Sequence, residues 1–294
     1  MLEATVNLLT APSNVIWAVL VSSLTSALVT YWLRRSERRA QLDEEHEYQQ
    51  KKLLRAIVSK YHGHMLATAN QYNHRMWNLY RNHELNWLHI ESDVTESKHY
   101  FLSFCYRFCN LFSVIRQFER EAIFVESRIA TERDQKIVKF AEALRWCVTD
   151  VDLFDGLDYD PGQCRDHIYA DTFRDLLDGY QSGGEGVKRY SEFKESALES
   201  GAPEEVLSLF NSLSKSESRF RWDRLVALHL LVVLFVNTIG YEEQKTSQKR
   251  VLDIASQLVN NSVLEALIEW LPRMGLPDEA NSLSTCSARM RGVA

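Results

Sequence analysis

The pattern of apolar and polar positions is helical along almost the whole chain. Val15 through Leu33 forms a run without charge, proline or glycine, and Arg34, Arg35, Arg38 and Arg39 follow it directly. At 1.5 Å per residue such a helix is about 28 Å long, close to the roughly 30 Å hydrocarbon thickness of a bilayer. The run therefore predicts a transmembrane anchor over residues 15–33. Its basic flank lies on the C-terminal side, so the positive-inside bias predicts a short extracytoplasmic segment at 1–14 and a cytoplasmic location from residue 34 onward. A cleaved signal peptide carries its basic residues ahead of the apolar run, the reverse of the order here.

Residues 36 to about 90 are rich in Glu, Gln, Arg, Lys and Leu and predict a long juxtamembrane helix. Within it Leu54, Val58, Tyr61, Met65, Thr68 and Tyr72 alternate spacings of four and three. That heptad-like stripe suits either a coiled coil between subunits or packing within the chain's own bundle. A second helix is expected from Lys98 to Ile129, with Phe101, Phe104, Cys105, Phe108, Phe112, Ile115 and Phe118 on one face. A third covers Glu132 to Val148, turning Ile137, Phe140, Ala141, Leu144 and either Trp146 or Cys147 inward. From Thr149 the chain becomes an aspartate-rich loop ending at Pro161 and Gly162, followed by a short helix over Tyr169–Leu177.

Residues 179–186, rich in glycine and serine, read as a linker between helical regions 34–178 and 187–275. Helices are expected at Glu192–Glu199 and after Pro203, the latter carrying Val206, Leu207, Leu209 and Phe210. Val251–Leu271 reads as one amphipathic helix stopped by Pro272 and Gly275. Residues 276–294 have little apolar content and are expected to be disordered. Leu225–Tyr241 has two readings. It is either the central helix of a bundle or a second membrane span, with Arg219, Arg221 and Arg224 ahead of it and His229 and Asn237 inside it. With no strand-like alternation, the expected class is all-α: an N-terminal transmembrane helix followed by a cytoplasmic helical bundle.

Composition narrows the partners. Apolar residues make up 45% of the chain, enough for a real core, and the net charge is about −6. No basic tract lies outside the membrane flank, which disfavours nucleic acid and directs Arg34, Arg35, Arg38 and Arg39 toward anionic headgroups. Five unpatterned cysteines (Cys105, Cys109, Cys147, Cys164 and Cys286) suit reduced thiols rather than a disulfide framework. Ser22, Ser23, Thr25, Ser26 and Ala27 give the anchor small side chains, which let helices approach closely in lipid and point to a homo-oligomer.

Candidate chemistry is sparse. His46, His62, His64, His74, His83, His89 and His99 lack the i, i+4 pairing of a helical metal site. Cys105 and Cys109 share a helix face but sit within the phenylalanine stripe. In the aspartate-rich loop, counting from Asp150, the fifth and sixth positions are Phe154 and Asp155, so the calcium-loop frame fails. Gly183 and Gly184 are not followed by the Lys-Ser/Thr of a phosphate-binding loop. No metal and no cofactor is expected.

Arg224 and His229 have the spacing R-x-x-x-x-H, which resembles the ribonuclease motif of HEPN nucleases. The resemblance implies an arginine and a histidine meeting at a helix-dimer interface and acting on RNA phosphate and ribose. It covers these two residues; Leu225 stands where that family usually places a polar residue. The architecture of anchor plus helical domain is similar to that of membrane-acting effectors of bacterial antiviral defence, in which assembly opens or disrupts the membrane. The expected function is that of a non-enzymatic, membrane-anchored helical protein acting through oligomerisation and an unidentified cytoplasmic protein partner. The alternatives are a pore former using a second span at 225–241 and a membrane-tethered HEPN-like ribonuclease with Arg224 and His229 as catalytic residues.

Overall fold

A computed structural model describes residues 3–90, 98–122, 131–157, 159, 162, 166–182, 186–200, 203–217 and 219–292. The fold is all-α apart from one two-residue antiparallel pair, Gln181–Ser182 with Gly186–Val187. The helices are α1 (Glu3–Asn82), α2 (His99–Ala122), α3 (Glu132–Thr149), α4 (Ala170–Gly179), α5 (Tyr190–Ser200), α6 (Glu204–Phe210), α7 (Arg221–Ile239), α8 (Gln248–Ala255), α9 (Ser262–Arg273) and α10 (Pro277–Gly292). The chain divides into two compact units, Met1–Lys52 and Leu53–Ala294.

In the second unit one hydrophobic cluster runs from Leu54 to Cys286, joining residues on both sides of the hairpin at 181–187. The heptad-like stripe from Leu54 to Tyr72 is buried inside this bundle. Tyr72 meets Phe104 and Phe108, and Tyr61 meets Phe118, so long aromatic side chains tie α1 to α2. Phe108 is the centre of the aromatic cluster, packing on Phe112, Phe173 and Phe210 from α2, α4 and α6. Of the two inward candidates on α3, Cys147 is buried and Trp146 is not. Thr131 caps α3 by accepting the Asp134 N–H, and its hydroxyl donates back to the Asp134 carboxylate.

Helix α7 is apolar all round because it is covered all round. Every residue from Arg221 to Val236, and Ile239, is buried. It is the one helix among the described residues long and apolar enough to cross a membrane, and 89% of that apolar window lies inside the protein. The candidate second span at 225–241 is thus occupied as a bundle helix, packed chiefly on α3 and also on α8 and α9.

Three boundaries differ from expectation, and one lies outside the described residues. The juxtamembrane helix ends at Asn82, and a 3-10 turn over His83–Leu85 follows. Within the expected second helix, residues 123–129 lie outside the described residues. The single helix expected over Val251–Leu271 is two, α8 and α9, because Trp222 Nε1–H donates to Gln257 O and Asp223 accepts the Val259 and Asn260 N–H groups. These bonds hold a turn where periodicity alone would continue the helix. The tail expected to be disordered is α10, whose Ala280, Leu283 and Cys286 are buried. Spacings of three suffice for it because α8 and α9 already offer an apolar surface. Gly275, at φ +74°, closes α9 as its left-handed residue, and Leu276 N–H returns to Leu271 O.

Phe108→Ala should destabilise the fold by about 3–5 kcal/mol, since it empties the meeting point of α1, α2, α4 and α6. Urea unfolding followed by circular dichroism measures this; a loss under about 1 kcal/mol would contradict the packing described.

Candidate functional site

The first turn of α7 reads Arg221-Trp222-Asp223-Arg224, and successive side chains leave a helix about 100° apart. Arg221 Nη1 donates to Ser208 O at 2.8 Å and Asn211 O at 3.0 Å, at the C-terminus of α6, while Glu217 pairs with its Nη2 at 2.5 Å. Arg224 Nη1 donates to Cys147 O at 2.6 Å and Asp150 O at 2.8 Å, at the C-terminus of α3. Its guanidinium lies 4.5 Å from the Phe154 ring centroid and 5.6 Å from that of Tyr159, and Nη2 donates to Tyr159 Oη. No carboxylate among the described residues pairs with Arg224. Helix-end carbonyls and aromatic faces hold its charge instead.

His229 lies on the same helix, fully buried, with different partners. Nε2 meets Asn73 Oδ1 at 2.7 Å and Nδ1 meets Tyr80 Oη at 2.9 Å. Asn73 Oδ1 can only accept, so Nε2 carries the proton and the Tyr80 hydroxyl donates to Nδ1. Burial holds the imidazole at about 3, far below its ordinary value, so it is neutral at physiological pH. Arg224 and His229, paired in sequence by the R-x-x-x-x-H spacing, are both sealed from solvent and share no hydrogen-bond partner. Arg224 caps a helix, and His229 links α7 to α1.

Three of the thiols are held protonated. Burial pushes Cys109 and Cys147 up to about 12 and Cys105 well above its ordinary value. Among the described residues no group of three His, Cys, Asp or Glu side chains could hold a metal ion. Of the aspartate-rich loop, Asp150, Asp152 and Asp155 are described and Asp158 and Asp160 are not. Asp150 Oδ1 accepts the Asp152 N–H within that turn. Cys164, Gly183 and Gly184 also lie outside the described residues.

The surface beside His229 is concave. A groove of about 370 Å³ is lined by His74, Trp77, Asn78 and Arg81 of α1 with Arg250 and Asp253 of α8. Trp77 forms its wall, with one edge on the His229 ring at 5.8 Å and Arg250 at 5.9 Å from its centroid. Two guanidiniums, an imidazole, an amide and an indole, with the Asp253 carboxylate beside them, can hold a flat polar group. They do not supply the paired nucleophile and base of a hydrolytic site.

No known protein family matches the chain, and comparisons with curated proteins and with solved structures find no similar chain.

The predicted anchor residues have a different environment. Ser22, Ser23, Ser26 and Ala27 are exposed, as are Arg34, Arg35, Arg38 and Arg39. Ser23 Oγ donates to Leu20 O, and Thr25 Oγ1 to Val21 O and Ser22 O, so these hydroxyls are satisfied within their own helix. The aromatic residues at the two ends of the run, Trp17 and the Tyr31–Trp32 pair, are exposed as well. Aromatic side chains at both ends of an apolar run are enriched at membrane–water interfaces, and this pattern is legible in the sequence.

Two outcomes follow. The unfolded chain binds a proton at His229 near pH 6.5 and the folded chain does not until about 3, so unfolding takes up a proton between these values. Stability should be full above pH 6.5 and fall as the pH drops, by roughly 1–2 kcal/mol on reaching pH 5. His229→Gln should flatten that slope in urea titrations at stepped pH; an unchanged slope would contradict the assignment. Separately, Arg224→Ala should cost about 2–4 kcal/mol, because it strands two buried carbonyls at the end of α3. The same unfolding measurement tests it, and a neutral effect would remove the capping role.

Proposed function

We propose that this protein is held in a membrane by residues 15–33 of α1 and acts without catalysis, through self-association and partner binding by its helical domain. One observation carries the reading: the described part of the apolar run is exposed on every side. Trp17, Val19, Leu20, Val21, Leu24, Leu28, Val29, Tyr31, Trp32 and Leu33 all face outward, with Trp32 at 72% exposure. Residues 19, 20 and 21 alone point in three directions. A helix in water keeps one apolar stripe and buries it. A run apolar all round, with the Ser23 and Thr25 hydroxyls bonded to its own carbonyls, fits hydrocarbon.

The four arginines that follow fit an anionic cytoplasmic leaflet, which places the helical domain in the cytoplasm on this reading. Ser22 with Ser26, and Ser23 with Ala27, are small residues four apart, the spacing that lets two anchors pack closely. The groove beside Trp77 supports binding over chemistry, since it gathers charge and an aromatic face without a nucleophile.

The test is extraction and mass. The full chain expressed in bacteria should stay with the membrane after alkaline carbonate treatment, and Leu20→Lys with Leu24→Lys should release it. In detergent the full chain should run as a defined oligomer, and Ser22→Leu with Ser26→Leu should lower that mass. Release of the unaltered protein by carbonate would overturn the anchor; a monomer in detergent would overturn self-association.

A further inference from the structure

Two arginines meet on one hydroxyl, and no acid among the described residues pairs with either. Arg75 of α1 and Arg107 of α2 both donate to the hydroxyl of Ser103, Arg75 through Nη2 at 2.5 Å and Arg107 through Nη1. Arg107 Nη1 also donates to Ser103 O at 2.9 Å. Ser103 is buried and both arginines are partly buried. Neither makes a salt bridge among the described residues. The carboxylate that acts on this cluster is Glu192, through Tyr106 rather than through either guanidinium, and it accepts the Arg189 N–H.

Like charges brought onto one oxygen repel, and partial burial strengthens the repulsion by thinning the water between them. Burial and the Arg75 charge both lower Arg107 below its ordinary value. A neutral hydroxyl is a poor return for such an arrangement. An oxyanion at the same place would accept from both forks at once, the geometry for which guanidinium is suited. Spare donors exist: Nε and Nη2 of Arg107 have no acceptor among the described residues, and Arg75 has more N–H groups than its bonds to Ser103 and the Tyr100 hydroxyl use.

A further donor waits beside them. The Tyr100 hydroxyl is sealed from solvent; Arg75 reaches it as a donor, and its own O–H has no acceptor among the described residues. Its ring lies 4.7 Å from the Arg75 guanidinium. Burial raises its pKa, while the Arg75 charge and hydrogen bond and then the Arg107 charge pull it down.

We infer that Arg75, Arg107, Ser103 and Tyr100 form a binding site for a phosphomonoester dianion between α1 and α2. The arginines supply the charge and the forked donors, and Ser103 fixes the two forks relative to each other. Tyr100 contributes one more O–H. The dianion fits better than a carboxylate because it offers three oxygens to donors on two helices. Its source is either a soluble phosphoester or a lipid headgroup bearing a terminal phosphate.

Full-length protein in nanodiscs of neutral lipid is titrated with inorganic phosphate and with glycerol 3-phosphate, against chloride at matched ionic strength, by calorimetry and thermal unfolding. The same measurement is made in nanodiscs containing phosphatidic acid. Stabilisation by the soluble phosphates supports the site and a soluble source. Stabilisation only by phosphatidic acid supports the site and a headgroup source. Arg75→Gln and Arg107→Gln should each weaken binding at least tenfold, and Arg75→Lys should weaken it less. Without phosphate, Arg75→Gln should leave the unfolding temperature unchanged or raise it, because it relieves repulsion. Three results would overturn the inference: no response beyond chloride in either setting, equal binding by the glutamine variants, or a phosphate-independent loss of stability in Arg75→Gln, which marks a purely structural pair.

Discussion

The first turn of α7 organises the helical domain. Four consecutive side chains, Arg221, Trp222, Asp223 and Arg224, leave the helix in four directions, and each satisfies backbone groups that a neighbouring element cannot satisfy itself. Helices end with unpaired carbonyls and start with unpaired N–H groups, and burying either without a partner is expensive. The arginines supply donors to the ends of α6 and α3, and the aspartate accepts two N–H groups from the turn ahead of α9. An apolar helix such as α7 could slide or rotate among its neighbours at small cost if oily contacts alone held it. The polar turn at its head fixes its register, and the packing of α3, α8 and α9 follows.

The chain contains two apolar segments of similar length with opposite environments. Arg221–Ile239 is enclosed by protein, and its one histidine is satisfied by Asn73 and Tyr80. The run ending at Leu33 has its described side chains uncovered, and the hydroxyls of Ser23 and Thr25 return to carbonyls of the same helix. That contrast is chemical. A histidine needs partners from another element, so it belongs to a helix that has neighbours. Serine and threonine can be satisfied locally, so they are tolerated in a helix that has none.

This distinction explains how much of the structure was legible in the sequence. The class and most helices follow from periodicity: the phenylalanine stripe from Phe101 to Phe118 is buried throughout, and the Leu54–Tyr72 stripe packs within the chain. What periodicity missed depends on distant residues. The break between α8 and α9 requires Trp222 and Asp223, more than thirty residues earlier, and α10 is helical because other helices give Leu283 and Cys286 a surface to cover. Arg224 and His229 stood out by spacing, yet the residues that explain them, Cys147, Asp150, Asn73 and Tyr80, lie far away along the chain. The Arg75–Arg107 convergence leaves no mark in sequence at all, because charge imbalance appears only once two helices are side by side.

Two kinds of unpaired arginine therefore coexist, and the difference between them is informative. Arg224 has no acid but is not unbalanced. It sits at the negative end of α3, donates to two carbonyls of that end, and lies over the electron-rich faces of Phe154 and Tyr159. Its environment is complete except for Nε. Arg75 and Arg107 have a side-chain hydroxyl between them, one carbonyl and one ring, with donors left over and each other's charge close by. A fold can retain a buried cation by building a negative environment from backbone dipoles. Where it instead brings a second cation to the first, with no carboxylate among the described residues paired to either, the anion we infer is what would balance them.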